Sequence, residues 1–427
     1  MSAVTGINQP AVVQQGQWVT APGCKRLLVV IHTLTYAQRL QEVFSLVRRD
    51  RRIQVMFAVA PHAFSEGVRP YLQSQGIEAI PWEVAVASEF DLALAAGSRG
   101  IEQVRAPLIR LSHGAGQIKL LRRADPPPAP REPAPHGPQH TVRPRTAGMV
   151  SSQHLMHDGK VVPAAVAFAH DDDLAGLAEG CPEALPVATV VGDPCHDRIV
   201  ASLPRRAEYR RALGLAEGQR LVVVASTWGP SSSFGRLEAL LPRLLAELPR
   251  EQYRVAALLH PNIWAGHGHW AVRGWLSGCL RRGLALVPPE SDWLAPLIAA
   301  DCVIGDHGSV TAYSALTGAP VLLACYPHAE VSATSPAALL ALAARALDPV
   351  HPLPEQLAFA AAERCPREYA RVCARLSSAP GGFARRMRGL MYRLLGLSEP
   401  AYPAETEPVP LPAPLDALDG REWGIPA

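Results

Sequence analysis

Lysine is nearly absent from this sequence: of 41 basic residues only Lys25, Lys119 and Lys160 are lysine, and the rest are arginine. No apolar run approaches the roughly 18 residues that a membrane-spanning helix needs. The start MSAVTGINQP has no charged residue followed by an apolar stretch, so no signal peptide is expected. The eight cysteines never form a Cys-x-x-Cys, and Cys302 and Cys325 lie in apolar runs. Reduced core thiols and a cytoplasmic setting are the expectation. There is no Gly-Lys-Ser/Thr loop and no complete Gly-x-Gly-x-x-Gly. AGSRG (96–100) has alanine where a nucleophile elbow places its first glycine. His267 and His269 have no third metal ligand nearby in sequence, and Asp171-Asp172-Asp173 reads as capping at a helix start. No metal site and no cofactor is expected. The formal charge of +3 gives no global argument for nucleic acid.

What is present is a globular composition, 48% apolar and 19% charged over 427 residues, enough for two ordinary domains. Leu27 to Ile31 is a continuous apolar run, the pattern of a parallel strand covered on both faces. A helical pattern over 34–49 and a strand from Ile53 to Ala60 follow. The alternation continues through Ile77–Pro81, Asp91–Ala96 and Leu108–Leu111. A second series has strands at Val187–Val191, Leu221–Ala225, Arg254–Leu259, Leu284–Val287, Cys302–Ile304 and Pro320–Ala324. The expected fold is α/β: two facing, Rossmann-like, doubly wound parallel-sheet domains with a cleft between them. The expected boundaries are a loose arm over 1–23, a first domain over 24–186 with a proline-rich loop at 125–146, and a second domain over 187–378. Residues 366–397 are helical in pattern. A helix at 379–397 packs back on the first domain or lays its arginines on anionic lipid at the inner face of the membrane. A disordered proline-rich tail is expected over 398–427.

In doubly wound sheets ligands bind at the carboxyl ends of strands, so residues just after the strands matter most. Asp306-His307-Gly308-Ser309 follows the strand Cys302–Ile304 and opens a helix. Free amides and the positive end of the helix dipole there suit a phosphate, and Ser309 and Thr311 add hydroxyls. An ordinary capped helix is the plainer reading. His113 and His260 also follow strands, where an imidazole can act as a base or neutralise phosphate charge. Structural hydrogen bonding is the commoner role for a strand-end histidine. Ser226-Thr227-Trp228 closes another strand and could hold phosphate and stack a base, or simply turn the chain.

At these residues the sequence resembles the CDP-glycerol glycerophosphotransferase family, the teichoic-acid polymerase-like branch of GT-B transferases. HGAGQIK, from His113 through Gly114 to Lys119, is similar to the family's histidine–glycine loop. GDPCHD, ending at Asp197, is similar to its Gly-x-Pro-Arg-x-Asp turn, with Cys195 in place of the arginine. Ser226-Thr227-Trp228, His260-Pro261 and Asp306-His307-Gly308-Ser309 match further motifs in order, across roughly residues 90–325. Tyr313 stands where the family places an aspartate. The 307–309 segment is also similar to donor loops of nucleotide-sugar glycosyltransferases and UDP-N-acetylglucosamine 2-epimerases. The resemblance implies the GT-B fold, with His113 and His260 as catalytic histidines and 306–311 holding donor phosphates. Gly114, Lys119 and Asp197 would serve the acceptor or its loops. The implied reaction is metal-independent transfer of a glycerophosphate or glycosyl group from CDP-glycerol or a nucleotide sugar to an acceptor hydroxyl, in cell-envelope polymer or glycan biosynthesis. An epimerase on the same architecture and a non-catalytic binding protein are the alternatives.

Overall fold

The computed structural model describes residues 23–120 and 150–419. The proline-rich segment 125–146, nearly all of the N-terminal arm and the last eight residues lie outside them.

Seven parallel strands form the first sheet, in the spatial order Ala79–Ile80, Ile53–Val59, Lys25–Ile31, Leu92–Ala95, Leu108–Leu111, Ala165–Phe168, Ala188–Val190. Six more form the second, in the order Ala285–Val287, Tyr253–Leu259, Arg220–Ser226, Cys302–Gly305, Val321–Leu323, Arg345–Ala346. The run of apolar residues in each central strand follows from burial on both faces. Leu27, Val29 and Ile31 enter one core cluster, while Leu28 and Val30 enter the cluster across the sheet. Leu221 and Val223 alternate with Val222 and Val224 in the same way. In both sheets the strand order reverses beside the first strand, which opens a crevice at the carboxyl ends.

Two expectations need correction. Ala188–Val190 closes the first sheet by pairing with Ala165–Phe168, so it does not open the second domain at residue 187. Residues 366–397 form two helices, Pro366–Leu376 and Phe383–Leu395, and the chain crosses between domains in the gap. The second helix buries Phe383, Met387, Leu390 and Met391 in the core cluster that holds Leu27 and Leu40. Its apolar side is therefore unavailable to lipid.

The second correction concerns the tail. Residues 398–419 form a strap joining both domains. Arg52 Nη2 donates to Ser398 O at 2.9 Å on the first domain. On the second, the Tyr209 hydroxyl donates to Val409 O and Val409 N–H donates to Ser202 Oγ at 2.9 Å. Val409 and Leu415 are buried in the second domain's core. Prolines remove backbone donors but do not prevent two apolar side chains from anchoring the segment. All eight cysteines are free. Among the described residues no helix is long and apolar enough to cross a membrane. Leu415→Ala should cost about 2–4 kcal/mol in urea unfolding; a change near zero would show that the strap does not contribute to the second domain's core.

Candidate functional site

The strands Arg220–Ser226 and Cys302–Gly305 pair at the centre of the second sheet, and their ends meet at Asp306. Its carboxylate is 2% exposed. It accepts N–H bonds from Thr227 at 3.0 Å, Ser233 at 2.9 Å and Gly308 at 2.9 Å. The Ser226 hydroxyl, beside it, donates to Thr227 O at 2.8 Å and accepts from Phe234 N–H at 2.8 Å. Asp306 is thus occupied in shaping two loops, and the expectation that it meets donor phosphate is corrected: it positions the groups that could. His307 and Thr311 are each 1% exposed. Burial keeps the His307 imidazole below its ordinary pKa, despite the opposing charge of Asp306. Gly308 and Ser309 remain as the turn facing the cavity, opening the helical segment Ser309–Tyr313 that continues as a 3-10 turn to Thr317.

The first domain meets this turn directly. After the strand Leu108–Leu111 the chain passes His113 to Gly114, where φ is +75° and a Cβ would stand 2.3 Å from Ser309 Oγ. Only glycine fits both the left-handed backbone and the contact. The loop then inserts Ala115 and Ile118 into the second domain's core. Ile118 O accepts from Ser332 N–H at 2.8 Å, and Leu120 N–H donates to Glu330 O at 2.9 Å. Between them, Lys119 Nζ donates to Trp228 O at 2.9 Å and lies 4.7 Å from the centre of the Trp228 ring. One face of Trp228 therefore holds the ammonium, which limits the room for a stacked base there.

His113 and His260 line the same cavity. His260 Nδ1 accepts the Asn262 N–H at 3.0 Å, which leaves its neutral-form proton on Nε2 as a donor. Burial, then the neighbouring His113 and Lys119, hold His260 down at about 3. The His113 ring packs on Tyr36 with centroids 4.7 Å apart. Crowding by the cleft walls, then Arg110, Arg39 and Lys119, press His113 down to about 3. Part of its ring is open to the cavity, and the neutral form is the state that both effects favour.

The hinge beneath the cleft is a buried knot. Arg39 Nη2 donates to Asp193 Oδ2 at 2.9 Å and to Gly114 O at 2.9 Å, and the Tyr313 hydroxyl donates to the same Asp193 oxygen at 2.7 Å. Tyr313, the departure from the family pattern, is fully buried here as a hinge partner. Cys195 is buried nearby, and burial pushes its thiol well above the usual range. Asp197 does not line the cavity. It accepts from Gly381 N–H at 2.7 Å and Phe383 N–H at 3.0 Å, capping the helix Phe383–Leu395, which corrects its assignment to the acceptor.

Sequence reasoning missed much of the first-domain wall of this cavity, whose volume is about 1040 Å³. Ring contacts run from His260 through Trp228, Phe64, His62, His32 and Tyr36 to His113, and all of these but the buried His32 line the cavity. His32 and His62 stand near the ends of their strands as His113 and His260 do, so the same rule would have found them. The loop 287–292, Arg110 and strap residues 402–408 carried no such signal. Among the described residues, no group of three or more His, Cys, Asp or Glu is arranged to hold a metal ion.

Two outcomes are expected. Asp193→Ala leaves Arg39 buried without its carboxylate and should cost about 3–5 kcal/mol, measured by denaturant unfolding. Burial holds His32 near 4, against 6.5 for a free imidazole. Folding therefore excludes protons in that window, and stability, full above 6.5, falls with pH through it. The urea midpoint should drop between about pH 7.5 and about pH 5, with a shallower slope in H32Q and H113Q. An unchanged slope in both variants would contradict the assignment.

No protein-family model matches the sequence. Over 136 residues the chain is 33% identical to a lipid-A-disaccharide synthase of Prochlorococcus marinus (strain MIT 9313), covering 31% of this chain and 33% of that one. The likeness thus spans about a third of that relative. Among solved structures, the wall teichoic acid polymerase TagF superposes with a TM-score of 0.58 at 13% identity, covering 88% of this chain and 90% of that one. An S. aureus MnaA–UDP complex superposes with a TM-score of 0.52 at 11% identity, covering 89% and 99%. At these identities the likeness concerns the fold: two parallel-sheet domains facing across a cleft, the GT-B architecture.

Proposed function

We propose that this chain is a transferase that moves a glycosyl or glycerophosphoryl group from a nucleoside-diphosphate-activated donor to an acceptor hydroxyl. The observation that carries the reading is the contact across the cleft: the loop bearing His113 abuts the Gly308-Ser309 turn of the other domain. A donor seated with its phosphates on that turn would have Lys119 and the His260 Nε2–H beside its leaving group. Such fixed donors stabilise charge as it develops. His113 takes the proton of the acceptor hydroxyl. Burial is the largest cause of its low basicity, and Arg110, Arg39 and Lys119 add to it; an anionic donor would offset the part due to these cations.

With a nucleotide sugar, the acceptor oxygen bonds to the anomeric carbon, the bond to the β-phosphate oxygen breaks, and the nucleoside diphosphate leaves. With CDP-glycerol, the oxygen bonds to phosphorus, the pyrophosphate bridge breaks, and CMP leaves. Likeness to a lipid-A-disaccharide synthase and to a wall teichoic acid polymerase supports a place for either reaction in cell-envelope polymer or glycan biosynthesis.

Incubation with UDP-sugars and with CDP-glycerol, followed by analysis of the released nucleotide, tests the reading. Release of UDP or of CMP is expected from one donor, falling about a hundredfold or more in His113→Ala. Full turnover in that variant would remove His113 from its role. Epimerised nucleotide sugar without nucleotide release would favour an epimerase. Folded protein that binds none of CDP, UDP or GDP in calorimetry would favour a non-catalytic binding protein.

A further inference from the structure

Five arginines are buried in the described structure: Arg39, Arg110, Arg254, Arg375 and Arg388. Four of them pair with a carboxylate, on Asp193, Asp416, Asp173 and Glu399 respectively. Arg110 does not. It stands at the cleft end of the strand Leu108–Leu111, is 4% exposed, and lines the cavity. Its Nη1 donates to two main-chain carbonyls, Ala96 O and Leu111 O. Its Nε is buried with no partner. A desolvated cation held only by carbonyl dipoles is costly unless a counter-charge arrives.

The surroundings supply none. The carboxylates that line the cavity come from the helix Leu34–Phe44, the second domain and the strap. Around Arg110 stand His32, Tyr36, His113 and His154, each within reach of its charge. All three imidazoles are lowered, burial first and Arg110 among the further causes, so they add no positive charge. His32 donates its Nε2–H to Arg99 O at 2.7 Å, while His113 and His154 line the cavity, where a neutral imidazole can donate. Ser98 and Ser112, next to the carbonyl loops that Arg110 binds, line the cavity and form no side-chain hydrogen bond among the described residues. A buried guanidinium, unused hydroxyls and neutral imidazoles together make a receptor for an oxyanion.

We propose that Arg110 anchors an anionic group, a phosphate or carboxylate, of the molecule that enters the first-domain half of the cleft. On the transferase reading, on which this part rests, that molecule is the acceptor: it carries an oxyanion near the hydroxyl that His113 deprotonates. The donor's phosphates occupy the opposite wall at Gly308-Ser309, so the two anions bind to separate groups.

Calorimetric titration at constant ionic strength, with inorganic phosphate in one arm and acetate in the other, tests the site in wild type and Arg110→Gln. Glycerol serves as the uncharged control, and UDP and CDP are titrated into both proteins. At least one oxyanion should bind wild type and weaken tenfold or more in R110Q, while nucleotide affinity stays within twofold. The better-bound arm identifies phosphate or carboxylate as the group recognised. Equal oxyanion affinity in both proteins, or none in wild type, overturns the proposal. Nucleotides that fail to bind while the oxyanion difference persists would count against the transferase reading and leave the anion site standing. Should R110Q not fold, the S98A/S112A pair carries the test, because it leaves the bonds of Arg110 intact. Oxyanion binding at least threefold weaker in that pair supports the site, and unchanged binding overturns it.

Discussion

The ion pair between Arg39 and Asp193 is the constraint on which the rest of the molecule depends. Both side chains are almost wholly out of water, so neither charge is tolerable without the other. Arg39 belongs to the first domain's opening helix, Asp193 to the first crossing between domains, and Tyr313 to the second domain's cleft-side helix. The same guanidinium holds Gly114 O, the carbonyl beside His113. One buried pair therefore fixes the hinge, the angle of approach of the two sheets and the position of the histidine loop. Gln38 and Arg198 extend the contact: Gln38 Nε2 donates to Pro289 O at 2.9 Å, and Arg198 reaches both Glu42 and Asp292.

From that hinge the chemistry of the cleft divides into two walls of different character. On the second-domain wall the acid, Asp306, is consumed by main-chain amides, and the Gly308-Ser309 turn and a donor imidazole face the cavity, with the Lys119 ammonium brought to them by the first domain's loop. On the first-domain wall a guanidinium without a counter-ion lies under neutral histidines. The carboxylates that line the cavity come from other elements than those that carry His113 and Arg110. On the transferase reading this cleft takes anionic reactants, and the strap 398–419 on its margin is tied to both domains.

Much of this was legible in the sequence because parallel strands covered on both faces leave a plain signature. Leu27–Ile31, Leu221–Ala225 and Cys302–Ile304 read as strands from their apolar runs, and the residues after them line the cavity. What was not legible depended on pairing in space. Ala188–Val190 looks like any other short strand, and only its partner Ala165–Phe168 assigns it to the first sheet. Asp306 looks like a ligand until the amides around it are seen. Arg110 is one arginine among many in a sequence that uses arginine almost everywhere, and its isolation exists only in three dimensions. The strap was misread because proline content speaks of missing backbone donors and not of where Val409 and Leu415 can be buried.

On the transferase reading, a nucleotide's phosphates lie on the Gly308-Ser309 turn while His113 faces them from the other domain. A crystal structure with UDP or CDP bound tests it most directly. Phosphate oxygens are expected within hydrogen-bonding distance of the Ser309 amide or hydroxyl and of Lys119 Nζ, with the His113 ring open to the same space. A nucleotide seated elsewhere, or a His113 ring turned out of the cleft, would contradict it.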